Sequence, residues 1–292
     1  MSLPNLMCIG ASKSGTTSLY DILVQHSEID KPHFKEPHFF DIPFIYQKGT
    51  SWYNKTYFKK SKSKYRIDFT PTYLFEEKAP KRILKHLGGK IKFIVILRNP
   101  VDRAYSHYLH SCRNLHEKLT FKKALISEKK RICSNDINYL EKLRYSYISQ
   151  GLYYKMLVNY FNFFPIENFL IINFEQDLIN RRKETIKKIF NFLEINNEEI
   201  NIFIKSNQAR VNRINLFDTL INKKGSWRSF IKYIVPSTRF RQFIKNKIRN
   251  LNTKTYNPPK LLENDKKNIY EQYFKKDTEL LEKLIDRKMN WF

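Results

Sequence analysis

The segment from Cys8 to Leu19 constrains the fold of this chain more than any other. Its apolar start predicts a buried strand, and the hydroxyl-rich stretch after Gly15 predicts the start of a helix. Gly10 and Gly15 bound the turn between them, and the backbone N–H groups of such a turn converge where the positive end of the helix dipole also lies. The segment therefore predicts an α/β fold with an anion-binding loop at the carboxyl end of a strand.

This loop differs from a Walker A motif at one important position. The glycine spacing fits G-x-x-x-x-G-K-[ST], but Thr16 stands where the motif has the lysine that reaches the β- and γ-phosphates. The only lysine of the loop is Lys13. The pattern therefore favours a phosphorylated ligand other than a nucleoside triphosphate with Mg²⁺.

Apolar runs typical of buried parallel strands recur along the chain. They lie at Leu6–Ile9, Ile91–Leu97 and Phe169–Ile172, and another short strand is expected at Arg66–Phe69. A helix-like stretch follows each apolar run, and Pro100 suits the first turn of one of these helices. This alternation predicts a P-loop-type central parallel sheet flanked by helices.

A strongly basic segment lies toward the carboxyl end. We expect one domain over 1–292, with a basic helical insertion at 205–256 and a C-terminal helix within 257–292 that returns to the core. The insertion holds thirteen Lys or Arg residues and one acid, Asp218. The hydrophobic spacing within 227–248 predicts two basic amphipathic helices, which either pack on the core with a solvated basic face or contact an anionic membrane surface.

The charge balance limits the classes of partner. The chain has 54 Lys and Arg against 28 Asp and Glu, a formal net charge of +26 at pH 7. Such a surface either is simply solvated or attracts polyanions, including nucleic acid, anionic lipid, acidic glycans and phosphorylated cofactors. The sequence has no zinc-finger spacing and no RNP-like motif, so we expect no dedicated nucleic-acid partner, although a basic nucleic-acid binding module remains an alternative.

Targeting and metal signals are absent from the sequence. The three cysteines have no metal-ligand spacing, and we expect no metal. The chain opens without a signal-peptide pattern, and no run approaches about 18 apolar residues. We therefore expect a cytoplasmic protein, with peripheral contact at the inner membrane face as an option.

A second anion-binding element is predicted at the next long strand. Arg98 lies at the carboxyl end of that strand, where ligands of open α/β sheets bind, and Ser106 lies about two turns into the following helix. An arginine fork and a hydroxyl can hold a phosphate group separate from the one at the first loop.

Candidate bases lie in the segment that follows the first helix. His33, Glu36 and His38 occur there, and a loop at this place can fold back over the anion site. Any of the three can take a proton from an acceptor hydroxyl if it comes within about 2.6–3.2 Å in the loaded complex.

Four motifs occur in the chain in a fixed order. They are Gly10-x-x-Lys13-x-Gly15-Thr16, Lys35-Glu36-Pro37-His38-Phe39-Phe40-Asp41, Thr70-Pro71-x-Tyr73 and Leu97-Arg98-Asn99-Pro100-x-x-Arg103-Ala104-x-Ser106-x-Tyr108. In order and spacing they resemble the sulfotransferases that use 3′-phosphoadenosine-5′-phosphosulfate (PAPS), in the branch of the heparan-sulfate and bacterial carbohydrate enzymes. The resemblance extends to 150–154 and 281–292 and leaves 111–143 and 211–256 poorly matched.

The resemblance implies a sulfotransferase that moves the sulfuryl group of PAPS to a hydroxyl of a carbohydrate or glycolipid. It implies that Glu36 is the general base and that Lys13 neutralises charge on the departing phosphate. The residues it implies for the 5′-phosphosulfate are Lys13, Ser14, Gly15, Thr16, Thr17 and Ser18, and those for the 3′-phosphate are Arg98 and Ser106. Tyr153 is then expected beside the adenine, and Arg210 and Arg213 over the phosphates.

One feature departs from the family pattern. Many animal heparan-sulfate enzymes carry a lysine just before the Thr-Pro-x-Tyr motif, whereas Asp68 and Phe69 precede Thr70 here. A second catalytic lysine is therefore missing on the acceptor side. A P-loop nucleoside kinase or NTPase stays as an alternative function, although it needs a lysine at position 16 and an acid that organises Mg²⁺.

Overall fold

The computed structural model describes most of the chain. The described residues are 3–58, 61–134, 136–204 and 259–292, with the backbone of two short strands at 210–212 and 253–255. The chain forms two compact units, one of 1–206 with 261–292 and one of 207–260. The helices predicted within 227–248 lie outside the described residues, and the assignment of 1–292 to one domain stays a prediction.

The first unit has five strands and eleven α-helices among the described residues. The strands are β1 (Leu6–Gly10), β2 (Ile29–Asp30), β3 (Tyr65–Phe69), β4 (Lys92–Leu97) and β5 (Phe169–Asn173). The helices are α1 (Thr16–Leu23), α2 (Pro43–Tyr46), α3 (Gly49–Tyr57), α4 (Ala79–Leu87), α5 (Pro100–Arg113), α6 (Phe121–Ile132), α7 (Tyr139–Tyr145), α8 (Tyr153–Phe161), α9 (Arg182–Leu193), α10 (Glu263–Tyr273) and α11 (Lys275–Leu284). A π-helical segment, Phe174–Asn180, directly follows β5.

The strands form one parallel sheet in the order β2-β3-β1-β4-β5, which confirms the predicted central sheet. Alternate residues of β4 enter different hydrophobic clusters. Phe93 and Val95 pack in the cluster that includes α8 and α11, while Ile94 packs in the cluster of α1 and α9. Because helices cover both faces, the central strands are apolar at nearly every position.

The strand order places a crevice beside β1. After β1 the chain adds β2 and β3 on one side of that strand, and then adds β4 on the other side. Loops that leave the carboxyl ends of β1 and β4 therefore diverge, and open α/β sheets bind ligands at such a point.

The second unit contains two short strands, β6 (Arg210–Asn212) and β7 (Thr253–Thr255), which pair antiparallel.

The C-terminal region differs from the single helix expected there. It forms two helices, α10 and α11, which are separated at Phe274. The Phe274 ring is completely buried and packs against Gly151, where a Cβ would lie 2.8 Å from Phe274 Cε1. The buried ring anchors the junction of the two helices in the core. Beyond α11, Met289 and Trp291 join the core of the sheet.

Candidate functional site

The turn after β1 is held by a glycine in a left-handed conformation. Gly15 has φ +85° and directly precedes α1. A Cβ at this position would lie 2.6 Å from Phe174 Cε2, so a side chain has no room. Next to it Ser14 is completely buried, and its Oγ has no hydrogen-bond partner among the described residues. A bound oxyanion would supply that missing partner, since buried polar groups are normally paired.

Lys13 brings a positive charge into the same turn. Its side chain is half-buried, and this burial, with nearby positive charge from Arg113 and Arg98, lowers its pKa to about 8. Both causes disfavour the charged form of Lys13, and an anion bound beside it would offset them. The turn therefore favours binding of an anion, which would neutralise its positive charges.

Arg98 joins the loops after three strands. From the end of β4, its Nη1 donates a hydrogen bond to the Lys13 carbonyl at 3.0 Å. Its guanidinium lies 5.1 Å from the centre of the Phe174 ring, and its Nε lies 3.9 Å from Glu175 Oε1. This Nε is buried and makes no hydrogen bond within the described part of the chain. A second buried donor is therefore available beside the turn.

Helix α5 adds further polar groups. Asn99 caps it by accepting hydrogen bonds from the N–H groups of residues 101 and 102. Ser106, His110 and Arg113 follow at i, i+4 and i+7, so they share one face of the helix. An Arg113 Nη2 lies 2.7 Å from His110 Nδ1. The sequence prediction missed Arg113, although its helical spacing from Ser106 is visible in the sequence.

A second lysine, Lys35, contacts the start of α1. The sequence prediction did not include it among the site residues. The Nζ of Lys35 donates to Thr17 Oγ1 at 2.7 Å and lies 5.1 Å from the centre of the Tyr20 ring. Burial lowers the pKa of Lys35, although the neighbouring Glu36 opposes that shift. Of the other predicted loop residues, Thr16 is buried and Ser18 is half-buried. The Lys35 contact ties the segment of the candidate bases to the anion loop.

The three candidate bases differ in charge and in exposure to solvent. Burial opposes a charge on His38, but hydrogen bonds to Asp41 and Glu36 outweigh it and raise the pKa of His38 to about 10. His38 is therefore protonated at neutral pH and cannot accept a proton. The His33 side chain is exposed to solvent. The carboxylate of Glu36 faces the charge of His38, with its Oε2 3.7 Å from His38 Nε2.

A buried carboxyl supports the loop that carries Glu36. Asp68 is completely buried and accepts hydrogen bonds from Tyr53 at 2.5 Å, Thr70 at 2.6 Å and Tyr73 at 3.0 Å. The Tyr73 hydroxyl in turn accepts from the Phe39 N–H at 2.9 Å. Burial raises the pKa of Asp68 to about 6. Asp68 is thus a structural anchor, next to the position where the family pattern has its lysine.

The remaining predicted site residues are Tyr153, Arg210 and Arg213. Tyr153 is completely buried, and its hydroxyl donates to the Arg98 carbonyl at 2.9 Å. It thereby orients the end of β4, and its place beside an adenine stays a prediction. Arg210 belongs to β6, whose side chains are not described, and Arg213 lies outside the described residues.

Metal-binding clusters and membrane-spanning helices are absent from the residues that the structure describes. Within 3–58, 61–134, 136–204 and 259–292, no three His, Cys, Asp or Glu side chains group closely enough to hold a metal ion. None of the helices described there has the length and apolar character that crossing a membrane requires.

Comparison with known proteins connects this site to a family. The sulfotransferase domain model matches residues 3–254. Heparan sulfate glucosamine 3-O-sulfotransferase 5 of Mus musculus is 31% identical over 194 residues, covering 66% of this chain and 54% of that protein. The 3B1 enzyme of Homo sapiens is 31% identical over 196 residues, covering 65% and 46%. The chain thus spans about half the length of the curated relatives it matches.

A solved structure supports the same fold. The sulfotransferase from Alicyclobacillus acidocaldarius matches with a TM-score of 0.70 at 22% identity, covering 100% of this chain and 99% of that one. The family model covers most of the chain and includes the turn after β1, the end of β4 and the loop of Glu36. The chain belongs to the sulfotransferase family.

Proposed function

We propose that this chain transfers the sulfuryl group of PAPS to a hydroxyl group of a carbohydrate or glycolipid. The observation that carries the proposal is the pair of buried donors, Ser14 Oγ and Arg98 Nε, beside the charged Lys13. They lie in the loops that leave the carboxyl ends of β1 and β4, which the hydrogen bond from Arg98 to the Lys13 carbonyl joins. Family membership supports the donor, and relatives named for heparan sulfate glucosamine support a carbohydrate acceptor.

The two ends of the donor would be bound by different elements. The turn of 13–18 would bind the 5′-phosphosulfate through its N–H groups, with the dipole of α1 adding to the attraction. Arg98 and Ser106 would bind the 3′-phosphate. The hydrogen bond from Arg98 to the Lys13 carbonyl links the two parts, so that both phosphate positions depend on one another.

Glu36 would act as the general base. Its carboxylate takes the proton of the acceptor hydroxyl while the hydroxyl oxygen attacks sulfur, and the bond between sulfur and the phosphate oxygen breaks. The charged His38, 3.7 Å away, attracts and orients this carboxylate. Lys13 neutralises the charge that grows on the departing phosphate oxygen, and such stabilisation is commonly worth about 3–4 kcal/mol of barrier.

Donor binding is tested by titrating 3′-phosphoadenosine-5′-phosphate (PAP) into the protein in a calorimeter. Arg98→Ala should weaken PAP binding at least about tenfold, because it removes a charge-assisted contact. Arg181→Ala is the matched control, since Arg181 pairs with Asp177 on the surface and is 60% exposed. Equal PAP affinity in both variants would exclude Arg98 from the donor site.

The base is tested by PAP release from PAPS in the presence of extracted glycans and glycolipids. Glu36→Gln should abolish acceptor-dependent release and leave PAP affinity unchanged, because the amide cannot take the proton. Glu271→Gln, at a surface pair with Lys275, is the control. Full activity in the Glu36 variant would remove this residue from the mechanism.

A further inference from the structure

A groove of about 630 Å³ runs along one side of α8 and is not used by the mechanism above. Leu152, Met156 and Asn159 line it at helical spacing, so it follows one face of that helix. The opposite wall contains Phe75, from the chain after β3, and Lys142 of α7. The nine residues of α8 make that helix about 13 Å long. The volume of the groove suits a small organic molecule.

One wall of the groove lies against the anion-binding turn. Leu74 lines the groove, and its N–H donates to the Ile9 carbonyl at 2.8 Å. A Cβ on Gly10 would lie 2.6 Å from Leu74 Cδ2, so the two residues are in direct contact at the end of β1. Leu74 therefore joins one wall of the groove to the end of β1, from which the anion-binding turn leaves.

The chain just before Leu74 contacts the loop of the proposed base. Thr72, two residues before Leu74, donates a hydrogen bond to Asp41 at 2.5 Å and lies 3.3 Å from His38 Nδ1. His38 in turn lies beside Glu36. The segment that supplies Leu74 and Phe75 to the groove is thus linked by contacts to the loop that carries Glu36.

The lining combines an apolar floor with few charges. Leu74, Phe75, Leu152, Met156 and Val158 supply apolar surface. Of the charged residues, Lys155 lies 3.8 Å from Glu77 and Lys142 lies 5.9 Å from the Phe75 ring centre. Two lysines and one glutamate leave a lining charge of +1, in a chain whose net charge is +26. A polyanionic saccharide would require several cations here.

We propose that this groove binds the apolar portion of an amphipathic glycoside and so presents a sugar hydroxyl to Glu36. The inference rests on the proposed sulfuryl transfer and narrows its acceptor. Burial of the apolar portion on the floor provides affinity, while Asn159 and Lys142 at the rim contact sugar hydroxyls. The acceptor class is then a glycolipid or another glycoside with an apolar aglycone.

The test uses octyl β-glucoside below its micellar concentration as a probe, followed by calorimetry. It should bind the wild-type protein and bind about tenfold more weakly to Val158→Lys, because a charge on the floor opposes burial of the chain. Ile126→Lys is the control, since Ile126 is an exposed apolar residue of α6, outside the groove. PAP affinity checks that each variant is folded, and Val158→Asn replaces the lysine variant if that check fails.

A heparin-derived hexasaccharide is the competing probe. The inference is wrong if octyl β-glucoside binds equally to all variants or to none of them. If Val158→Lys also strengthens binding of the hexasaccharide, the groove binds a polyanion. The proposed function fails separately, through PAP titration of Arg98→Ala and turnover of Glu36→Gln. Glycoside binding that depends on Val158 would support the groove assignment even then.

Discussion

Replacing Gly15 with alanine tests the geometry of the anion-binding turn. The residue has φ +85°, and the left-handed conformation costs a residue with a Cβ about 1–2 kcal/mol. The new Cβ would also lie 2.6 Å from Phe174 Cε2, an overpacked contact that costs about 1–3 kcal/mol. We therefore expect the free energy of unfolding to fall by about 2–5 kcal/mol.

Two further variants separate these contributions. Gly49 has φ +78°, but a Cβ there would meet nothing within 4 Å, so Gly49→Ala should show only the backbone cost of about 1–2 kcal/mol. In a Phe174→Ala background, Gly15→Ala should also show only that cost, because the ring is gone. This double-mutant cycle isolates the contact between the turn and the segment after β5.

The measurement is urea unfolding followed by tryptophan fluorescence, with PAP affinity measured on the same samples. Gly15→Ala should weaken PAP binding, since the turn must move to relieve the contact, and Gly49→Ala should leave it unchanged. Equal losses of stability in the two variants would refute the reasoning. The same conclusion would follow if the cost of Gly15→Ala were unchanged without the Phe174 ring.

The other predictions concern the charge of Lys13 and the hydrogen bonds that hold the Glu36 loop. Because the pKa of Lys13 is lowered to about 8, its charge is lost as the pH rises through that value, and PAP affinity should fall with it. A bound phosphate raises this pKa again, so PAP binding should take up a proton near about pH 8.5 and not near about pH 6.5. Calorimetry in buffers of different ionisation heat measures this uptake. Uptake that persists in Lys13→Arg would assign the proton to another group. Asp68→Asn should lower the free energy of unfolding by about 1–3 kcal/mol, because the amide places N–H groups against hydroxyl donors. Tyr73→Phe removes the acceptor for the Phe39 N–H and should lower kcat with little change in PAP affinity; unchanged kcat would show that the Glu36 loop does not need this anchor.

The central sheet could be predicted because it depends on local pattern. The apolar runs at 6–9, 91–97 and 169–172 each became a strand, since strands covered on both faces are apolar at nearly every position, and the short strand predicted at 66–69 also formed. The start of α5 was predicted from Pro100, whose missing N–H is not needed in the first turn. In place of the single helix expected within 257–292, two helices form on either side of Phe274.

The site was only partly predictable. Lys13, Glu36, Arg98 and Ser106 were identified from spacing and family resemblance, and their roles remain proposals. The contacts of Lys35 were missed, because its partner Thr17 belongs to another element of the fold. Patterns in a sequence report the periodicity of one element, whereas such contacts depend on how elements are arranged.

The sequence alone determined the class of fold, the glycine turn that can bind an anion and the order of motifs typical of sulfotransferases. Only the tertiary structure decided which groups meet there. Arg98 contacts the Lys13 carbonyl across 85 positions of the chain, because β4 lies next to β1 in the sheet. The charges of Lys13 and His38 were likewise decided by burial and by neighbours. Solvation and proximity are properties of the packed molecule, and no local pattern of residues encodes them.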